Sequence, residues 1–157
     1  LDLQRMGQGG TAAPVDLAAL ARGVVADMAP LAIGAGRSLA VQVDAPATVP
    51  GDAAALERVL MNLLRNALDH GGRHVVLRVA GRVLEVRDDG PGIPADQRDR
   101  VFEPFTRLRP GSGGSGLGLA LVAEVVARHD GRVAIRAAPG GGTIVRVELG
   151  AGTPAAS

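Results

Sequence analysis

The sequence predicts an α/β sandwich with its helices on one face of a sheet, and three observations carry that reading. Apolar residues recur at helical spacing in three segments, they alternate at strand spacing in five others, and two strand pairs are joined by turns short enough for antiparallel hairpins. The length of 157 residues suits one such domain with short tails.

In chain order, Leu1–Gln8 reads as the frayed end of a helix that begins upstream, broken by Gly7, Gly9 and Gly10. Asp16 is placed to N-cap an Ala/Leu/Val helix running to about Met28. Leu39, Val41 and Val43 alternate with Ala40 and Gln42, as in a strand. After a turn containing Pro46 and Pro50, Asp52 is a second N-cap. The helix it opens reaches His70, with Leu56, Val59, Leu60, Leu63, Leu64 and Ala67 on one face and Gly71-Gly72 as its stop.

Strands Val75–Ala80 and Arg82–Asp88 follow, joined at Ala80-Gly81. A Gly/Pro loop then leads to a short polar helix ending near Val101, and residues 106–115 have the composition of a mobile loop. A helix from about Gly116 to His129 stops at Gly131, and Val133–Ala137 with Ile144–Leu149 forms a hairpin around Gly140-Gly141-Gly142. The reading divides the chain into 1–10 (the end of an upstream element), 11–150 (the domain) and 151–157 (a disordered tail).

Composition narrows the chemistry. The 17 basic residues are all Arg, set against 16 acidic ones, so the P-loop Lys and the strand Lys of eukaryotic-type protein kinases are missing. The lack of Cys removes disulfides, thiolate metal sites and thiol nucleophiles. Two Phe as the only aromatics argue against a base-stacking nucleic-acid platform, so no nucleic-acid partner is expected. No apolar run reads as a membrane span. The start at Leu1, with no apolar leader, predicts an excised piece of a longer protein.

Four segments are candidates for chemistry. Asn62 and Asn66, the only two Asn, stand four apart and share a helix face; neutral amide oxygens suit Mg²⁺ when phosphates bring the negative charge, although a pair of surface amides reads the same way. Asp88 closes a strand in line with core residues Leu84 and Val86, so its carboxylate needs donors, either backbone N–H groups of the next turn or a ligand amine. Asp88-Asp89-Gly90-Pro91-Gly92 lets a flat ligand approach the backbone. Gly114-Ser115-Gly116-Leu117-Gly118-Leu119 opens a helix with exposed N–H groups, an anion cradle. Gly111, Gly113 and Gly116 also fit G-x-G-x-x-G, but no strand precedes them, which rejects the dinucleotide fingerprint. His70, His74 and His129 make no metal set by spacing.

The order Asn helix, D-x-G-x-G, V-F-E-P-F (Val101–Phe105), G-S-G-L-G-L-A and a last hairpin with Gly-Gly-Thr resembles the catalytic, ATP-binding domain of bacterial sensor histidine kinases, in the superfamily that includes gyrase and the mismatch-repair ATPases. The resemblance runs from about Val15 to Leu149. It implies a two-layer fold, a mixed and mostly antiparallel sheet of about five strands on about three helices, with a Gly-rich ATP lid. It also implies that Asn66 holds Mg²⁺, that Asn62 faces the phosphates, and that His70 closes this N box beside the nucleotide. Asp88 then reads adenine, with Gly90 and Gly92 shaping the pocket, Ile93 packing near the base and Thr143 beside the Asp. Phe102 and Phe105 match the F box, and Arg107 reaches for the γ-phosphate. Gly114, Ser115, Gly116, Leu117, Gly118 and Leu119 form the lid hinge and phosphate cradle.

Two departures bear on the reaction. Where the family commonly has Lys or Arg three residues after the metal Asn, Asp69 stands; it is expected to point away, leaving positive charge to Arg73, Arg107 or Arg109. The superfamily's ATPases and anti-sigma serine kinases place a general-base Glu where Asn62 stands, so this chain is expected to pass phosphate to a His, whose neutral imidazole needs no base. The resemblance implies an acceptor His on an upstream helical hairpin, a response regulator as the next partner, and a homodimeric full-length protein in the bacterial plasma membrane. The chain itself is expected to be a cytoplasmic monomer that binds Mg-ATP without phosphorylating itself. The rival readings are an anti-sigma-type serine kinase and a degenerate nucleotide-binding module, the latter kept open by Asp69.

Overall fold

Two aspartates begin the long helices. Asp16 Oδ1 accepts from the Ala19 N–H at 3.1 Å and Asp52 Oδ1 from the Ala55 N–H at 3.2 Å, each satisfying a backbone donor that the first helical turn leaves free. The computed structural model describes residues 12–98 and 117–150. Its elements are β1 (Ala13–Asp16), α1 (Leu17–Gly34), β2 (Ser38–Ala45), β3 (Thr48–Gly51), α2 (Ala53–His70), β4 (His74–Ala80) and β5 (Val83–Asp88), a 3₁₀ turn Ala95–Gln97, α3 (Leu117–Arg128), β6 (Arg132–Ala137) and β7 (Thr143–Glu148). The expected upstream remnant, the polar helix beyond Gln97, the F box, most of the lid and the C-terminal tail fall outside the described residues.

The main sheet has the order β2-β4-β5-β7-β6, parallel between β2 and β4 and antiparallel elsewhere. The two-layer, mixed, mostly antiparallel architecture is therefore present. The helices cover one face of this sheet. From α2 come Leu56, Val59, Leu60, Leu63, Leu64, Ala67 and Leu68, from β4 Val75, Leu77 and Val79, from β5 Leu84 and Val86, and from α3 Val122, Val125 and Val126, all in one buried cluster. Alternation along β4 and β5 puts these residues inward and Arg78, Glu85 and Arg87 outward.

Three expectations need correction. The first helix does not stop at Met28 but runs through Pro30 to Gly34, because Ala32, 1% exposed, still buries against the core. By length and composition this helix is also apolar enough to cross a membrane, contrary to the sequence reading; here Leu17, Ala21, Val24, Val25 and Met28 lie in the core. A two-stranded sheet, β1 antiparallel to β3, was not expected. Pro14 faces Pro50 in it, and as neither has an N–H the pair occupies a non-hydrogen-bonded position, while Val15 and Val49 beside them are buried.

The turns that shape the site end of the sheet follow the glycines. Gly81 carries φ 65° in the β4–β5 hairpin, and Gly140, Gly141 and Gly142 carry φ 83°, 112° and 101° between β6 and β7. A Cβ at Gly142 would collide with the Asp88 carbonyl, so β7 reaches its register with β5 only with glycine there.

Candidate functional site

The C-terminal end of β5, the N-terminal end of β7 and the C-terminal turns of α2 meet at one edge of the domain. Asp88 is the last residue of β5 and only 9% exposed; it and Thr143 are the buried polar or charged residues among those described. They face each other in the β5–β7 register. Burial raises the Asp88 pKa above the ordinary carboxylate value, opposed by the Gly90 N–H and joined by repulsion from Asp89. The Gly90 N–H donates to Asp88 Oδ1 at 2.8 Å, leaving most of the carboxylate's acceptor capacity for other donors.

The loop after Asp88 is fixed from several sides. A Cβ at Gly90 would stand 2.6 Å from the Gly71 carbonyl carbon, so the loop and the end of α2 touch backbone to backbone. Asp89 accepts from the His74 N–H at 3.0 Å, a bond that holds its pKa below the ordinary value and ties the loop to the start of β4. Gly92 has φ 82°, a conformation that suits glycine, and Ile93 is half-buried. Arg98 Nε donates to the Ile93 carbonyl at 3.1 Å, bracing the chain beyond the loop.

On α2, Asn62 and Asn66 are half-buried and one turn apart, beside the buried stripe. Asn66 Nδ2 is the one buried side-chain polar atom among the described residues without a hydrogen-bond partner. A buried amide donor left unmet costs on the order of 1–3 kcal/mol. That orphan suits a phosphate oxygen as acceptor, while the amide's other end, Oδ1, is a neutral oxygen of the kind Mg²⁺ takes. The side chain therefore fits the ion and its phosphates together. Asp69 is exposed and Arg73 is exposed. His70 is the half-buried last residue of α2.

The structure thus brings Asn62, Asn66, His70, Asp88, Gly90, Gly92, Ile93 and Thr143 to one edge. Leu119 is half-buried in α3 and packs against the core cluster. Leu117 and Gly118 belong to the first turn of α3. Phe102, Phe105, Arg107, Arg109, Gly114, Ser115 and Gly116 fall outside the described residues. Sequence reasoning missed Arg37, whose Nη1 donates to the carbonyls of Gly71 and Gly72 at 2.6 Å each. It belongs to no motif, and only the fold shows that the α1–β2 turn meets the end of α2. His129, set aside as a metal ligand, is structural: Nε2 accepts from the Asp52 N–H at 3.0 Å and Nδ1 donates to the Val125 carbonyl at 2.8 Å, joining α3 to the start of α2.

Residues 51–153 match the family of histidine kinase-, DNA gyrase B- and HSP90-like ATPases. Among curated proteins, the alginate biosynthesis sensor protein KinB of Pseudomonas aeruginosa is 43% identical over 118 residues, 69% of this chain and 20% of that protein. The probable sensor histidine kinase TcrY of Mycobacterium tuberculosis is 39% identical over 138 residues, 81% of this chain and 29% of that protein. The chain spans well under half the length of these relatives. Among solved structures, the mycobacterial sensor histidine kinase MprB superposes with a TM-score of 0.74 at 32% identity, covering 88% of this chain and 96% of that one. The ATP-binding domain of PrrB from Mycobacterium tuberculosis gives 0.75 at 28% identity, covering 91% and 99%. With the fold, the edge built around Asp88 and Asn66, and these likenesses in agreement, the chain belongs to the histidine kinase-type ATPase family and is a catalytic domain of the sensor histidine kinase kind.

Proposed function

We propose that this domain binds Mg-ATP and donates the γ-phosphoryl group to a histidine on a separate helical hairpin of a two-component sensor kinase, which then passes it to a response regulator. The observation that carries the reading is Asp88: a buried carboxylate at a strand end, whose Oδ1 accepts from the Gly90 N–H and which keeps acceptor capacity to spare. An exocyclic amine of adenine supplies the donor such a group lacks, whereas a guanine carbonyl at that place would meet a second acceptor. The solved structure of ShkA with AMPPNP, which matches at 31% identity with a TM-score of 0.77, supports an adenine nucleotide as ligand.

The chain's own groups then divide the work. Asp88 and Thr143 hold the base, with Gly90 and Gly92 leaving it room to approach the backbone. Asn66 holds Mg²⁺ through Oδ1 and meets a phosphate through Nδ2, while Asn62, one turn earlier, faces the same phosphates. Mg²⁺ bound there would supply neutralisation of the phosphates' negative charge. Gly114, Ser115, Gly116, Leu117, Gly118 and Leu119 cradle the phosphates, and Arg107 supplies positive charge to the γ-phosphate. Phe102 anchors the base of the lid. Asn62 cannot take a proton at neutral pH, and a neutral His acceptor does not need it to.

The whole protein is proposed to be a homodimer in the bacterial plasma membrane, with this domain in the cytoplasm and residues 1–10 leading in from the acceptor hairpin. The test is to supply an acceptor hairpin in trans with γ-labelled Mg-ATP. Acid-labile label on its His supports the proposal. Label on a partner Ser, or ATP bound without transfer to any acceptor, overturns it in favour of a serine kinase or a regulatory module.

A further inference from the structure

Arg37 lies in the turn between α1 and β2, half-buried and outside every motif of the site. Its backbone N–H donates to the Ala32 carbonyl at 2.9 Å, closing α1 and aiming the side chain across the end of the domain. Its Nη1 carries two hydrogens, and the structure gives each a carbonyl, Gly71 and Gly72, both at 2.6 Å. Those carbonyls belong to Gly71, the C-cap of α2, and to Gly72 just past it, near the negative pole of the helix dipole, so a cation there is favoured.

The turn that Arg37 holds is also the surface on which Asp88 rests. A Cβ at Gly71 would stand 2.8 Å from both Cβ and Cγ of Asp88, and one at Gly90 would stand 2.7 Å from the Gly71 Cα. The bare glycine backbone at the end of α2 meets the Gly90 backbone and the Asp88 and Asp89 side chains there. What fixes their register is polar: Arg37 on the α2 side and the His74 N–H to Asp89 on the loop side. The Arg37 charge also lies close enough to favour the ionised Asp88 carboxylate.

We propose that Arg37 is a positioning residue for base recognition: by clamping Gly71 and Gly72 against Asp88, it fixes the direction of the carboxylate and so sets discrimination for a purine bearing a 6-amino group. The proposal rests on the reading of Asp88 as the adenine acceptor. It assigns a specificity role to a side chain that does not touch the nucleotide, and it places that role in the affinity for one exocyclic amine.

The test is calorimetric titration of the chain with Mg-ATP and with the Mg salt of purine riboside triphosphate, which differs only in lacking that amine. Wild type is expected to prefer ATP by about tenfold, the preference that one amine–carboxylate hydrogen bond gives. Arg37→Met keeps the aliphatic stem and removes the donors; it is expected to weaken ATP until the ratio approaches one, with affinity for the analogue unchanged. Arg37→Lys, with a shorter reach and an ammonium donor in place of the planar fork, should fall between the two. An unchanged ratio in Arg37→Met, or equal loss for both ligands, overturns the positioning role and leaves the Asp88 reading standing. A wild type without preference overturns the Asp88 reading itself. If thermal melting shows that Arg37→Met is unfolded, Arg37→Lys decides alone: a reduced ratio supports the role and a wild-type ratio overturns it.

Discussion

The two faces of the sheet treat charge in opposite ways. On the open face, four strands carry a continuous ladder: Asp44 of β2 pairs with Arg78 of β4, Arg78 with Glu85 of β5 at 3.1 Å, Glu85 with Arg146 of β7 at 3.6 Å, and Arg146 with Glu148 at 3.7 Å. Every member has an opposite charge beside it and a partly exposed side chain. At the edge beneath the helices, Asp88 is buried with backbone N–H groups but no opposite charge bonded to it, and Asn66 buries an amide donor with no partner. Ordinary packing would fill or pair such groups. The contrast teaches that the first arrangement is complete in itself, whereas the second leaves polar groups free for the ligand proposed above.

The largest effect should follow from removing the amide proposed to hold the ion. Asn66→Ala is expected to cut Mg-dependent transfer to an acceptor hairpin by on the order of a thousandfold, since a metal contributes several kcal/mol at a transferring phosphoryl. Melting should show no loss of stability beyond that of an ordinary half-buried site. Full activity in that variant would remove Asn66 as the ligand.

Next in size is Asp88→Asn, which is expected to weaken ATP by roughly tenfold to a hundredfold, the range for a hydrogen bond to a charged group. Stability should move the other way. Because burial raises the Asp88 pKa, the folded state holds its proton more tightly than the unfolded chain, so the ionised carboxylate works against folding as pH rises above 3.8 and through the folded value. The Asn variant should therefore melt no lower than wild type at neutral pH, and its stability should depend less on pH across that window. The same shift predicts that wild-type ATP affinity falls in mild acid as Asp88 takes a proton, and that Asp88→Asn lacks this fall. Titrations across mildly acidic pH would check it.

The smallest effect belongs to the open face. Glu85→Gln removes the charge that joins Arg78 to Arg146, yet surface pairs contribute no more than about 1 kcal/mol and less in high salt. Nucleotide affinity should not change at all. A loss of ATP binding in Glu85→Gln would break the separation between the two faces.

Much of this contrast was legible before the fold was known, and the reasons are local. Asp16 and Asp52 announce helices because a carboxylate caps whichever turn follows it, and both do so here. The alternation Leu84, Val86, Asp88 puts the carboxylate on the core face whatever the sheet does next, and all three are buried. What stayed hidden depends on partners distant in sequence. β3 reads as part of the turn containing Pro46 and Pro50 until Pro14 and Pro50 are seen to face one another. The first helix likewise reads as ending near Met28 until Ala32 is seen to bury beyond Pro30. The parallel pairing of β2 with β4 sets Ser38 against His74 and so brings Arg37 to Gly71, which no motif spacing encodes.

The central claim is that Asp88 is an adenine acceptor waiting for a donor, and the most direct test is calorimetric titration of wild type and Asp88→Asn with Mg-ATP and Mg-GTP. The account predicts that wild type binds ATP with a preference over GTP, and that Asp88→Asn loses that preference while melting at least as high as wild type. Equal affinity for the two nucleotides in wild type, or an unchanged preference in Asp88→Asn, would contradict it.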